Sequence, residues 1–206
     1  MNRLELYRLG RKTFRMQIDK LKNEFQCLSA YIFFDENNYL REQTNQPKAL
    51  WDFVQKAEQM CKSITSTDEL YFIYGALGYV YRVLNEPQKA IAYFEKSLDL
   101  ISEQPLKKII TFIRLGEAYK YANDHKKAIA LFDKALEMVV KFNFLDYDDY
   151  IYQHKGKCLM ELEELNASRA CFLSALHIRQ QRGNQELIDS TQKALTYVEN
   201  RLAKTK

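Results

Sequence analysis

A set of residues recurs three times along this chain at the same internal spacing. In each copy a glycine follows an aromatic residue by four positions, and a phenylalanine lies sixteen positions after that glycine. The copies read Tyr74, Leu77, Gly78, Tyr81, Ala90, Phe94 and Ser97, then Phe112, Leu115, Gly116, Tyr119, Ala128, Phe132 and Ala135, then Tyr152, Lys155, Gly156, Leu159, Ser168, Phe172 and Ala175. A unit of this size cannot bury its apolar face alone, so such a chain folds by stacking its copies.

The glycine of each copy falls inside a helical stretch, where glycine costs about 1 kcal/mol relative to alanine. The same cost repeated at Gly78, Gly116 and Gly156 indicates a close approach between helices. We expect the small residues of each second half to face this approach and the aromatic ones to fill the space between layers. Asn-Glu-Pro at 85–87 and Asn-Asp-His at 123–125 predict the turns, because asparagine ends helices readily and proline suits a first turn.

This pattern resembles the tetratricopeptide repeat, in which an aromatic residue, Leu-Gly and Tyr are followed by Ala and Phe. The resemblance covers residues 70 to 182. It implies an all-α fold, a right-handed α-solenoid of antiparallel helix pairs with a terminal capping helix. The glycines are 38 and 40 residues apart, against about 34 in the common repeat, which assigns the chain to a long-repeat subgroup. Similar long repeats occur in bacterial peptide-pheromone receptors, kinesin light chains and some polarity adaptors.

The repeats divide the chain into N-terminal helices with a degenerate repeat at 1–66, three repeats at 67–183 and a capping helix at 184–206. Ala49 and Phe53 are spaced like Ala90 and Phe94, which predicts a second repeat helix in the first part. Before it we expect one helix over 1–22, a partner helix containing Phe25, Leu28 and Ile32, and a polar loop over 37–47. The last helix covers the final repeat or forms a homodimer through one apolar stripe: Leu187, Thr191, Ala194, Leu195, Val198 and Leu202.

Composition and motifs favour binding over other classes of function. The formal net charge of +4 is too small to indicate nucleic acid by itself. RNA binding stays an alternative through basic residues that alternate with acidic ones: Arg3, Arg8, Arg11, Lys12, Arg15, Lys20 and Lys22. No signal-peptide pattern and no apolar run of about 18 residues is present, so we expect a cytoplasmic protein without membrane contact.

The sequence also lacks the material for most chemistry. No nucleotide-binding, metalloprotease or serine-hydrolase motif occurs, so we predict no enzymatic activity and no cofactor. Four cysteines without a close pair predict free thiols, and with them no metal site: Cys27, Cys61, Cys158 and Cys171. Asp146, Asp148 and Asp149 precede the third repeat, where carboxylates stabilise a helix start, and we interpret them as capping residues rather than metal ligands.

The resemblance implies that the first helices of the repeats line a groove that binds an extended or helical peptide. Carried over by alignment, the groove residues are Phe72, Tyr79, Arg82, Ile110, Arg114, Glu117, Lys120, Tyr150, Gln153, His154 and Lys157. Aromatic and basic side chains together suit a ligand with apolar anchors and some acidity. The alternatives are that residues such as Tyr79 only pack between helices, and that Arg114 pairs with Glu117 on the same helix.

Some family members bind the C-terminal carboxylate of heat-shock chaperones with a clamp of lysine, asparagine and arginine. The matching positions here are Gly75, Tyr79, Arg114, Tyr150 and His154, so this clamp is absent. The leading hypothesis is a non-catalytic scaffold or adaptor that binds a protein or peptide in its groove. The alternative is a small-peptide sensor of the pheromone-receptor type, although no helix-turn-helix is evident in residues 1 to 65.

Overall fold

The computed structural model describes residues 16–204, which begin with a helix and a β-hairpin. Helix α1 covers residues 16–27 and continues into a 3-10 turn at Leu28–Tyr31. The hairpin pairs β1, Ile32–Asp35, with β2, Arg41–Thr44, in antiparallel register. Residues 1–15 of the predicted N-terminal helix lie outside the described residues.

Eight α-helices follow the hairpin in this part of the chain. They are α2 Pro47–Cys61, α3 Thr67–Val83, α4 Pro87–Asp99, α5 Pro105–Tyr121, α6 His125–Phe142, α7 Asp148–Glu161, α8 Leu165–Arg182 and α9 Gln185–Lys204. Helix α3 pairs with α4, α5 with α6, and α7 with α8, while α3, α5 and α7 also contact one another in chain order. The predicted all-α solenoid is confirmed, and we call the side formed by α3, α5 and α7 the groove face.

The repeated glycines mark places where a ring of the second helix lies against the first. A Cβ atom built on Gly78 would stand 2.7 Å from the Phe94 ring, and one on Gly116 would stand 2.6 Å from Phe132. Gly156 has the same relation to Phe172, again at 2.7 Å. Real Cβ atoms do not approach other atoms so closely, so each glycine is required by the aromatic residue of its own repeat.

The turns follow the sequence in most details. Asn85 and Asn123 adopt positive φ angles of 59° and 60°, which asparagine tolerates better than most residues. Ser66 caps α3, its side chain accepting a hydrogen bond from the backbone N–H of Glu69. Local residue types therefore account for the start of α3 and for the turns after α3 and α5.

The N-terminal part differs from its prediction in two respects. Residues 32–44 form the hairpin, so Ile32 belongs to a strand rather than a helix and the predicted polar loop is largely a strand and a turn. In α2 the buried residues Leu50, Val54 and Ala57 correspond to Ala90, Phe94 and Ser97 of α4. This register is one residue later than the predicted one. It follows from the prolines that begin both helices, since Leu50 and Ala90 each lie three residues after a proline.

Helix α9 packs along α8 and reaches α7. Part of its predicted apolar stripe packs in this contact, since Thr191, Ala194 and Val198 are fully buried. Asp149, at the start of α7, accepts hydrogen bonds from Arg179 at 2.7 Å and Arg182 at 2.5 Å. The acidic residues of this turn therefore tie α7 to α8 in addition to lying at a helix start.

Three further features concern the chemistry expected of the chain. All four cysteines are free thiols, and burial raises the pKa of Cys158 to about 12. Residues 16–204 contain no cluster of three or more His, Cys, Asp or Glu side chains arranged to hold a metal ion. Within the same residues, no helix has both the length and the apolar character needed to cross a bilayer.

Candidate functional site

A cavity of about 740 Å³ lies against the groove face. Helices α3, α5 and α7 form its floor, α1 and the hairpin lie at one side, and α8 and α9 contribute at the far end. Ten of the eleven residues predicted for the groove line it: Tyr79, Arg82, Ile110, Arg114, Glu117, Lys120, Tyr150, Gln153, His154 and Lys157. Phe72 does not; its ring packs edge-on against Phe25, with centroids 6.0 Å apart.

The hairpin, which the sequence reading missed, spans this face from α3 to α9. In β2, Arg41 donates to both carboxylate oxygens of Glu161, at 2.9 and 2.6 Å, and to the backbone carbonyl of Lys120 at 3.2 Å. At the turn, Leu40 is buried in a cluster that includes Val198 of α9. The two Arg41 partners are 120 and 79 residues away along the chain, so no local pattern could have identified the position of the hairpin.

Arg82 is the central cation of the face and is only 2% exposed. It pairs with Glu42 of the hairpin and lies 3.5 Å from Glu117. Its guanidinium also stands over the rings of Tyr79 and Tyr121, at 5.0 and 4.8 Å. An arginine enclosed in this way by carboxylates and aromatic faces fixes the hairpin to α3 and α5.

Burial and the charges around Arg82 shift the pKa values of Glu117 and Tyr79. Burial alone would raise the pKa of Glu117, but Arg82 and His154 hold it well below its usual range. His154 Nδ1 lies 3.1 Å from a Glu117 oxygen. Burial, followed by the nearby Glu42 carboxylate, raises the pKa of Tyr79, whose hydroxyl donates to Glu42 at 3.0 Å. Tyr79 therefore belongs to the packing of this site as well as to its lining.

A second group of charged side chains surrounds Glu161, at the end of α7. Lys120 Nζ lies 3.4 Å from Glu161, and His125 Nε2 lies 2.9 Å from the same carboxylate. Glu161 thus has three basic neighbours, and its pKa is lowered although burial opposes this. We call these side chains, which are joined by ion pairs, the paired cluster: Arg41, Glu42, Arg82, Glu117, Lys120, His125 and Glu161.

Three other lining residues have no such partners among residues 16–204, and we call them the unpaired set. Gln153 is 4% exposed, and neither its Nε2 nor its Oε1 has a hydrogen-bond partner. Lys157 is 7% exposed, has no carboxylate at ion-pair distance, and holds its Nζ 4.2 Å from the Phe34 ring centroid. Burial and then the neighbouring Lys120 lower its pKa to about 8.

Arg114 is the third member of the unpaired set. It is exposed to the cavity, and no carboxylate of the described chain lies within ion-pair distance of it. Its Nη1 stands 2.9 Å from where a Cβ atom of Gly75 would lie, so the guanidinium rests on bare backbone of α3. The suggested ion pair with Glu117 is not formed, because Glu117 pairs with Arg82 and His154 instead.

The rest of the lining is apolar or aromatic. Phe25, Phe34, Ile110 and Ile113 contribute from α1, the hairpin and α5. Tyr150 is 38% exposed and holds the Arg179 guanidinium 5.5 Å from its ring. The cavity thus combines an apolar wall with two unneutralised cations and one amide that lacks hydrogen-bond partners, which is the composition of a site for a mixed ligand.

Comparison with known proteins agrees with this architecture. Residues 69–139 match the family model described as the tetratricopeptide repeat. The tetratricopeptide-repeat resemblance identified in the sequence is confirmed over these residues. A search of curated proteins by sequence finds no match.

Several solved structures share the fold at low sequence identity. A Rap protein complexed with competence and sporulation factor matches with a TM-score of 0.69 and 16% identity, over 93% of this chain and 49% of that one. PlcR of Bacillus thuringiensis, in complex with the peptide PapR7 and DNA, matches at 0.61 and 15%, over 92% and 70%. The kinesin light chain-like repeats of Podosopora anserina match at 0.61 and 12%, over 91% and 88%. The chain spans about half the length of the Rap proteins, including 45% of RapI.

Proposed function

We propose that this chain is a non-catalytic binding protein that holds a short peptide segment in the groove-face cavity. The observation that carries the proposal is the cavity itself, whose volume of about 740 Å³ falls within the range of about 300–1,000 Å³ typical of ligand sites. Successive repeats supply its floor, so a ligand there contacts residues that only the stacked fold brings together.

The hairpin favours a short ligand over a long one. An open groove would accept an extended segment or a helix along its whole length. Here the hairpin contacts α5 and α7 through Arg41 and packs Leu40 beside α9, so part of the groove face is already covered. An adaptor that binds a longer protein segment is the second form of the proposal, and it would require the hairpin to move away.

The fold relatives support a peptide ligand as well. PlcR, which shares the fold over 92% of this chain, was solved in complex with the peptide PapR7. A Rap protein was solved in complex with competence and sporulation factor. Because both are under 25% identical to this chain, they support the class of function and not a particular ligand.

The described residues give less support to the RNA-binding and homodimer hypotheses made from the sequence. For RNA binding, the residues Arg3, Arg8, Arg11, Lys12 and Arg15 lie outside the described residues, and Lys22 lies 3.9 Å from Asp19 and over the Phe72 ring. A homodimer through α9 could use only part of the predicted stripe, since Thr191, Ala194 and Val198 are already fully buried. The cytoplasmic location and the absence of catalysis, cofactors and membrane contact stay predictions.

The test fills the cavity without touching its charges. Ile110→Trp would place an indole in the lined space, whereas Val140→Trp changes a residue of α6 that is 74% exposed and outside the cavity. We expect the native chain and Val140→Trp to retain the same members of a mixed hexapeptide pool, read by mass spectrometry, and Ile110→Trp to retain none. Melting curves check that both variants fold. A pool from which the native chain retains nothing, or equal retention by Ile110→Trp, contradicts the proposal.

A further inference from the structure

The strongest indication of a ligand site is the Gln153 side chain. A buried amide with neither its donor nor its acceptor satisfied is unfavourable, and native interiors contain few such groups. Gln153 lies on α7, faces the cavity and has neither atom paired within the described chain. One donor and one acceptor side by side match the N–H and C=O of a peptide backbone, which present the complementary pair.

The two cations of the unpaired set, Arg114 and Lys157, favour a ligand with negative charge. Lys157 follows Gln153 by one helical turn, so the two side chains emerge about 5–6 Å apart on the same side of α7. Arg114 comes from α5, which contacts α7 directly. The nearby carboxylates Glu42 and Glu117 are already engaged by Arg82, so this end of the cavity carries positive charge that the protein does not neutralise.

From these observations we propose that the ligand is a short acidic peptide, with a backbone amide paired to Gln153 and a carboxylate bound between Arg114 and Lys157. The proposal rests on the function proposed above and narrows it to one chemistry. A carboxylate bound there gains charge-assisted hydrogen bonds from a guanidinium and an ammonium group. Apolar side chains of the same peptide meet Ile110, Ile113 and Tyr150. The carboxylate belongs to an Asp or Glu side chain or to the peptide's C-terminus.

Three hexapeptide pools test the chemistry on the full chain. The acidic pool draws each position from Leu, Phe, Tyr, Asp and Glu and ends in an amide. The neutral pool replaces Asp and Glu with Asn and Gln and also ends in an amide, and the third pool is the neutral pool with a free C-terminal carboxylate. We expect at least about tenfold greater retention of the acidic or the free-acid pool than of the neutral pool, measured by mass spectrometry after size exclusion. The pool that is retained identifies the source of the carboxylate.

The outcomes separate this inference from the broader proposal. Equal retention of the neutral pool would leave peptide binding intact and overturn the acidic ligand. Retention of no pool would overturn both. Displacement of a retained peptide by an equimolar amount of acetate or inorganic phosphate would assign the site to a small anion and overturn the peptide assignment.

Matched variants then locate the binding. With one retained peptide carrying a fluorophore, Arg114→Gln, Lys157→Met and Gln153→Leu should each weaken binding by about tenfold or more in fluorescence polarisation. Arg169→Gln is the control, because Arg169 lies on α8 outside the cavity and pairs with Glu199 at 3.2 Å. If Gln153→Leu fails to fold, Arg114→Gln decides the question, since its side chain is exposed. Unchanged affinity in Arg114→Gln and Lys157→Met would overturn the inference.

Discussion

The paired cluster and the unpaired set are neighbours, and four members of the paired cluster line the same cavity as the unpaired set: Glu42, Arg82, Glu117 and Lys120. The two groups differ in whether their polar side chains have partners within the protein. In the paired cluster Arg82 has two carboxylates and two aromatic faces around it. In the unpaired set Gln153 is equally buried and has no partner in the described chain. Buried polar groups stabilise a fold when they are paired and cost free energy when they are not. The paired cluster therefore holds the hairpin in place, and the unpaired set lowers the stability of the free protein.

This difference indicates where function resides. Sites that bind ligands commonly keep polar groups that the free protein cannot satisfy, at some loss of stability. Substitutions in the paired cluster should therefore reduce stability, whereas substitutions in the unpaired set should reduce binding with little loss of stability or with a gain.

The largest expected effect is that of Arg82→Met. The variant removes a 2% exposed guanidinium and leaves two largely enclosed carboxylates, Glu42 and Glu117, without their main counter-charge. Breaking a buried ion pair from one side costs about 3–5 kcal/mol. We expect the free energy of unfolding in urea to fall by that amount. Arg169→Met, at an exposed pair on α8, should change it by about 0.5 kcal/mol or less. A small loss for Arg82→Met would mean that the hairpin is held by other contacts.

The next effect tests the hairpin directly. Arg41→Ala removes the two hydrogen bonds to Glu161 and the one to the carbonyl of Lys120, and charged hydrogen bonds contribute about 1.5–3 kcal/mol. Because an isolated two-stranded hairpin is marginally stable, we expect faster hydrogen exchange of residues 32–44 as well as a loss of stability in this range. Lys193→Ala is the control, since Lys193 also pairs with the hairpin, at Glu36, but on the surface. Equal protection of the hairpin in both variants would contradict this role of Arg41.

The local parts of this architecture could be predicted from the sequence. Glycines opposite phenylalanines, asparagines at helix ends and the apolar stripe of α9 each depend on residues close together in the chain. For that reason three aligned repeats are enough to select ten residues that line one cavity. The eleventh predicted residue, Phe72, packs against Phe25 of α1, whose position the repeats do not determine.

The hairpin could be recognised only in part. Ile-Phe-Phe-Asp has the composition of a short strand, and the five residues that follow it include two asparagines, which suit a turn. Arg-Glu-Gln-Thr is polar and does not indicate a strand. The turn itself places Tyr39 and Leu40 at positive φ, which their residue types do not indicate. Its docking on the groove face depends on pairs such as Arg41 with Glu161, 120 residues apart. The division into paired and unpaired groups follows from that docking and was therefore not predictable.

Lys157→Met is expected to stabilise the free protein while weakening binding. The pKa of Lys157 is lowered from 10.5 to about 8, by burial and then by Lys120, with Arg82 adding to this and Glu42 and Glu117 opposing it. The unfolded chain thus binds more protons between pH 8 and 10.5, so this lysine destabilises the fold below pH 8 and ceases to do so above 10.5. We expect a gain on the order of 1–3 kcal/mol at pH 7 that disappears toward pH 10.5.

Urea unfolding at several pH values measures this difference. The native chain should become more stable relative to Lys157→Met as the pH rises through 8. For the same reason, the affinity of the native chain for an acidic peptide should fall over that range as Lys157 loses its charge. A variant that is less stable than the native chain at pH 7 would mean that Lys157 has a partner in the free protein.

Arg114→Ala should have the smallest effect on stability and separates the two groups most clearly. Its guanidinium is exposed, rests against Gly75 and has no carboxylate at ion-pair distance in the described chain, so its removal breaks no pair. Surface substitutions of this kind change stability by about 0.5 kcal/mol or less. Arg114 still lines the cavity from α5, between α3 and α7, and a guanidinium has five donors. Loss of a central anchor weakens binding by about 1–3 kcal/mol. Urea unfolding and titration with a retained acidic peptide measure the two quantities on one protein. A destabilised Arg114→Ala would place this arginine with the paired cluster, and unchanged affinity would place the ligand elsewhere.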